Sequence, residues 1–307
     1  MELHPIVAQL MAARRAAGIP QFADVTPQQA RALVTSIREA APPVQLPTMA
    51  ATEDFDLAGP HGAIPVRLYT PLDAAPGTIV YFHGGGWVVG DLQSHEAIAA
   101  GVAAESRCAV LSVQYRLAPE HAFPAPLDDC YAAVGWAAQN RKGPVAVAGD
   151  SAGGNLAAAC ALRARDEAEG PKIVAQALLY PVTDYDFQRP SYEAHGPKGY
   201  GVTAADMEYF WGLYAGERRA HPWAAVLRAP DLSRLPPAYV IAAGHDPLCD
   251  EAVAYAERLK AEGTPTILRR YDDMVHGFCA LTTTVDVADQ ALRDLGRWFA
   301  DRLVEAL

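Results

Sequence analysis

The residues Gly149-Asp150-Ser151-Ala152-Gly153 place a serine between two glycines, each two positions away. A short apolar β-type run (145–148) precedes them and an alanine-rich helical run follows. In a strand–turn–helix context this spacing puts the serine at the tip of a very tight turn. Side chains at the two glycine positions would clash there, so the turn demands glycine. The hydroxyl is left exposed at a helix N-terminus, where free N–H groups and the helix dipole favour negative charge. Such a serine is suited to nucleophilic attack on an acyl group; the plainer alternative is an N-cap serine without chemistry.

A second pattern, His83-Gly84-Gly85-Gly86-Trp87, follows the apolar run 78–82. Consecutive glycines let a backbone approach a ligand with its N–H groups turned inward. A tetrahedral acyl intermediate carries charge on one oxygen, and each preorganised donor to it is worth roughly 3–4 kcal/mol. The expected donors are the amides of Gly84, Gly85 and Ala152, with His83 holding the loop. A phosphate cradle is excluded, because no Lys-Ser/Thr pair follows at the spacing that site needs.

Activation of the serine needs a base, and the base needs an acid to orient it. Where a serine stands at such a strand-to-helix turn, the chain order is serine, acid, histidine. Of nine histidines, only His245 and His276 lie late enough in the chain. His276 follows the strand-like run 266–272 and precedes a helix. His245 neighbours the favoured acid, and adjacent residues rarely face each other. That acid is Asp246, ending the run 238–244 with Pro247 behind it. Asp184, Asp250, Asp272 and Asp273 are its rivals.

The elements that must position these groups alternate along the chain. Strand-like runs at 54–59 and 64–71 alternate in polarity, as half-exposed strands do. Runs at 78–84, 109–115 and 145–150 are apolar and β-branched, and those at 173–181, 238–244 and 266–272 read as further strands. Helical segments separate them at 94–107, 125–141, 151–168 and 250–262, and another closes the chain at 284–305. This order predicts an α/β fold with a mostly parallel sheet covered on both faces. Ligands in such sheets bind beyond the carboxyl ends of the strands.

Two stretches break the alternation. The first fifty residues read as helical, with Thr26-Pro27-Gln28-Gln29 as a capping box and a stop at Ala41-Pro42-Pro43. Residues 182–234 separate two strands, are rich in aromatics, and offer Thr203 as the cap of a short helix. They read as a lid over a pocket. Trp87, Tyr185, Phe210, Leu213 and Tyr214 are the candidate pocket residues. The predicted division is 1–50 as the N-terminal part of a helical cap, 51–181 as the first part of the core, 182–234 as the cap insertion and 235–307 as the rest of the core.

Composition bounds the partners. The 307 residues are 51% hydrophobic and 20% charged, with a formal net charge of −11. An acidic surface repels phosphate backbones and anionic lipid, so nucleic acid and membrane are not expected partners. No apolar run approaches the roughly 18 residues of a membrane span. The N-terminal apolar patch is followed, not preceded, by arginines, unlike a signal peptide. The five cysteines show no C-x-x-C spacing and an odd count, which fits a reducing compartment. A cytoplasmic location is the resulting expectation.

HGGGW at 83–87, YRLAPEHAFPA at 115–125, GDSAGGNLA at 149–157, DPLCDE at 246–251 and HGF at 276–278 together resemble the hormone-sensitive-lipase-like (bacterial family IV) esterases. The resemblance covers roughly residues 55–307. It implies an eight-stranded α/β-hydrolase core with a helical cap, and hydrolysis of esters with short to medium acyl chains. It also implies the triad Ser151, Asp246 and His276 beside an oxyanion hole at Gly84, Gly85 and Ala152; acyl transfer through these groups requires no cofactor or metal. A homodimer through the last strand follows from the same likeness. Cys249 departs from the polar residue common at its position, and its thiol is a candidate for oxidation. Two other functions remain open on the residues: an amidase or N-deacetylase using the same triad, and a non-catalytic small-molecule receptor. Matched ester and anilide substrates separate the first, and fluorophosphonate labelling the second.

Overall fold

The computed structural model describes residues 2–41 and 43–307; Met1 and Pro42, the latter part of the expected helix stop, lie outside the described residues. Eight strands form one sheet: β1 Met49–Gly59, β2 Gly62–Pro71, β3 Ala75–Phe82, β4 Cys108–Val113, β5 Val145–Asp150, β6 Ile173–Leu179, β7 Ala238–His245 and β8 Thr266–Val275. Their order is β1-β2-β4-β3-β5-β6-β7-β8. β1 and β2 pair antiparallel, β2 meets β4 antiparallel, and the remaining pairs are parallel. The expected sheet is therefore present. β1 starts five residues before the alternating run at 54–59, and β8 continues past 272 to Val275, so that His276 leaves its end directly.

The central strands are predominantly apolar because both their faces are covered, with Thr78, Ser112, Asp150 and Gln176 as buried polar exceptions. On β3, Ile79 and Tyr81 join one core while Val80 and Phe82 join the other, as the two-residue side-chain period requires. Helices α3 (Glu96–Ser106) and α9 (Asp286–Glu305) close the first face. Helices α4 (Ala125–Asn140), α5 (Ala152–Asp166) and α8 (Cys249–Ala261) close the second.

The two stretches outside the alternation meet each other. The N-terminal stretch contains α1 (Pro5–Ala16) and α2 (Pro27–Ala40), and the segment between β6 and β7 contains α6 (Pro190–His195) and α7 (Ala204–Tyr214). Thr26 and Gln29 form a reciprocal capping box on α2, and Thr203 and Asp206 form one on α7. The Ala23 amide donates to Asp206 Oδ1 (2.8 Å), the Tyr209 hydroxyl to the Val25 carbonyl (3.1 Å), and Phe22 packs on Phe210. From α2, Arg31 donates to the carbonyls of Val88 and Ala118 and pairs with Glu120, which ties this layer to the loop after β3.

Candidate active site

The turn from β5 into α5 is as tight as its glycines demand. Ser151 sits at φ +54°, ψ −119°, a region that L-residues enter only when the surroundings impose it. A Cβ on Gly149 would stand 2.2 Å from the Gly153 carbonyl oxygen, and one on Gly153 would stand 2.0 Å from that of Phe82. β3 and the elbow thus touch through backbone.

Three carboxyl ends bring the distant groups together. β5 delivers Ser151, β7 delivers Asp246 and β8 delivers His276. His276 Nε2 lies 2.9 Å from Ser151 Oγ, and its Nδ1 lies 2.7 Å from Asp246 Oδ2. Because the carboxylate can only accept, Nδ1 carries the proton and Nε2 is free to accept from the serine hydroxyl. Asp246 is fully buried, and its Oδ1 accepts the Leu248 amide at 2.9 Å. Tyr180 meets the imidazole edge-on.

The other candidates are engaged elsewhere. Asp184 pairs with Arg189 and Arg228, Asp250 accepts the Ser191 amide, and Asp272 pairs with Arg270. Asp273 is placed at the edge strand, where its carbonyl accepts the His4 amide. His245 packs against the rings of His195 and Tyr200.

The glycine loop corrects one expectation. The Gly84 amide donates to Asp150 Oδ1 (2.9 Å), so it is not available to an oxyanion. Gly85 and Gly86 line the cavity beside Ser151, both with positive φ. Among the described residues their amides and that of Ala152 have no acceptor. The free pair is therefore the second and third glycines. His83 is buried and stacked on Tyr115, with Nδ1 2.7 Å from the Gly84 carbonyl oxygen. Burial, with His95 nearby, pushes its pKa down to about 4, so the ring is neutral and structural.

Asp150 is itself buried and also accepts from the Tyr81 hydroxyl, while His95 Nε2 stands 3.4 Å from its second oxygen. Burial, the largest single influence, would raise the Asp150 pKa, yet the His95 charge, the bonds from His95 and Tyr81 and nearby His83 together hold it below the ordinary value. Burial alone would lower His95, and the carboxylate instead raises it.

The cavity above Ser151 has a volume of about 360 Å³. Of the five pocket residues expected from sequence, only Phe210 lines it. Trp87 and Tyr214 are buried and stack on each other at 4.0 Å, as part of the core rather than of the cavity wall. Tyr185 faces Arg228 and Arg219, and Leu213 packs at the margin of the core. Instead Met11, Arg14, Phe22 and Val34 of the N-terminal stretch line it, together with Val202 and Met207 of the later segment and the loops around Gly85 and His276. The spacing of Met11 and Arg14, three apart on one helix face, was the available signal.

The expectation for Cys249 is also corrected. Its thiol is buried, and burial pushes its pKa up to about 11, which leaves almost no thiolate to oxidise. All five cysteines are buried and unbridged. Among the described residues, no cluster of three or more His, Cys, Asp or Glu could hold a metal ion, and no helix is long and apolar enough to cross a membrane.

A strained serine at a strand-to-helix turn, an imidazole and carboxylate from later strand ends, and a glycine loop beside them define an α/β hydrolase. Comparison with known proteins narrows the class. A protein family described by its alpha/beta hydrolase fold matches residues 79–280. The carboxylic ester hydrolase LipN of Mycobacterium tuberculosis is 39% identical over 294 residues, covering 91% of this chain and 77% of that protein. An arylesterase of Saccharolobus solfataricus is 34% identical, covering 91% and 92%. The solved structure of an esterase from Pyrobaculum calidifontis superposes with a TM-score of 0.90 at 34% identity, covering 98% of this chain and 99% of that one. The chain belongs to the hormone-sensitive-lipase-like esterases of the α/β-hydrolase superfamily.

Proposed function

We propose that this protein hydrolyses carboxylic esters with short to medium acyl chains through an acyl-serine intermediate. The carrying observation is the unbroken row from Ser151 Oγ through His276 to buried Asp246. Ser151 attacks the ester carbonyl while His276 Nε2 takes its proton, and Asp246 holds the imidazole in the tautomer that can do so. The developing oxyanion is received by the amides of Gly85, Gly86 and Ala152. His276 then protonates the departing alcohol, and water attacks the acyl-enzyme by the same route.

Residues 1–50 and 182–234 act together as the cap in this reading, and the segments 51–181 and 235–307 form the core. Their mutual hydrogen bonds and the apolar lining they supply support it. A cavity of about 360 Å³ favours modest acyl groups over triglyceride. β8 ends the sheet on one side with no further strand beyond it, and such an edge can accept a second copy, which supports a homodimer. The buried, unbridged cysteines accord with a cytoplasmic setting.

The test is covalent labelling. A fluorophosphonate should modify Ser151, and Ser151→Ala should abolish labelling and lower turnover of nitrophenyl butyrate by roughly a millionfold. Retention of a few per cent of the activity by that variant would rule the assignment out.

A further inference from the structure

Arg14 is the one arginine or lysine among the described residues lining the catalytic cavity. It lies in the last turn of α1, half-buried, three positions from Met11, which lines the same cavity. Among the described residues no carboxylate stands within ion-pair distance of its guanidinium, and it donates no hydrogen bond. Asp206 is the acid whose charge it feels, but both oxygens of that carboxylate are engaged, by the Ala23 amide and by the Thr203 amide. The cavity's own acid, Asp150, is engaged by Tyr81, Gly84 and His95. Burial depresses the Arg14 pKa, and the distant Asp206 offsets this only in part.

A guanidinium held partly out of water without a partner is costly. Its five donors in a planar fork match a carboxylate. The neighbouring Arg15 turns away, toward the Lys198 carbonyl, so the end of the helix does not require both cations to face one way. We propose that the cavity takes esters bearing a carboxylate several bonds from the scissile carbonyl, and that Arg14 binds that carboxylate. This rests on the esterase reading of the same site. Water adds across the ester bond as usual: a half-ester of a dicarboxylic acid yields the dicarboxylate and the alcohol. A chain of net charge −11 repels an anion at long range, so discrimination falls to the local guanidinium.

The experiment compares anionic esters with neutral isosteres by acid release at constant pH. Monoethyl adipate and monoethyl suberate are set against the corresponding ethyl ester amides, which place the charge on the acyl side. The acetate ester of 6-hydroxyhexanoic acid is set against that of 6-hydroxyhexanamide, which places it on the alcohol side. The wild-type protein should favour the anionic member of at least one pair by about tenfold or more in kcat/KM, the scale of a charge-assisted hydrogen bond. Arg14→Gln should bring that ratio near one, and Arg14→Lys should keep part of it. A wild-type ratio at or below one in every pair overturns the proposal whatever the variants do. So does a preference that survives in Arg14→Gln, or a lower melting temperature in that variant with an unchanged ratio, which would mark a purely structural arginine. Absence of any ester turnover together with absence of fluorophosphonate labelling in the wild type would overturn the esterase reading and this proposal together.

Discussion

Asp150 Oδ1 accepts the Gly84 amide at 2.9 Å, so the residue before the proposed nucleophile also holds the first glycine of the loop facing it. The same carboxylate takes the Tyr81 hydroxyl and faces His95. The two loops that must agree in position to within a fraction of an ångström are therefore tied through one buried side chain. Asp150→Asn keeps the shape and removes the charge. Its kcat should fall by about tenfold to a hundredfold with little change in KM, since small misplacements near the chemistry cost on that scale. Asp150→Ala, which leaves buried partners unpaired, should lose about 3–5 kcal/mol of stability in a denaturant titration. The pH dependence follows from the shifts. The depressed Asp150 contributes stability above the ordinary carboxylate value that is lost as pH falls through its lowered folded pKa. The raised His95 contributes stability below 6.5 that is lost as pH rises through its folded pKa.

Asp246 offers a cleaner test of orientation. In Asp246→Asn the oxygen can still accept the Leu248 amide, so the loop should persist. The amide nitrogen would then face Nδ1 and favour the tautomer with the proton on Nε2, which cannot accept from Ser151. Turnover should drop by about ten-thousandfold with a near-normal melting temperature. A loss below tenfold would place the acid elsewhere.

Glu251 on α8 lies fully buried and accepts from the Thr183 and Asp184 amides and from Tyr192. Burial outweighs these bonds and raises its pKa to about 8. The folded protein thus retains a proton that the unfolded chain releases from about 4.5 upward. Stability from this group is full below 4.5 and is lost as pH rises to about 8. Glu251→Gln removes that dependence. Its melting temperature relative to the parent should rise steadily between pH 5 and pH 8.5, read by calorimetry, and a flat difference would refute the buried proton.

The buried thiol of Cys249 predicts inertness. Parent and Cys249→Ser should lose esterase activity to peroxide at the same rate, and iodoacetamide should not label Cys249 in the folded protein. Protection by the substitution would show that the acid loop opens.

The parts written locally were legible without coordinates. Gly149 and Gly153 announce the elbow because each clashes if given a side chain, and the apolar runs announce a sheet buried on both faces. Alternating elements even predicted which strand ends carry Asp246 and His276. What sequence order could not assign was the partner of each polar group. Gly84 and Gly86 look alike in the chain, and only the approach of Asp150 decides which amide is spent. Trp87 and Tyr214 look like pocket walls until their stacking places them in the core. Met11, Arg14, Phe22 and Val34 reach the cavity from a stretch more than a hundred residues before the serine. Backbone clashes and side-chain periods act over a few residues and leave local marks. Hydrogen-bond pairing and cavity shape depend on which distant surfaces meet, and that is settled only when the chain packs.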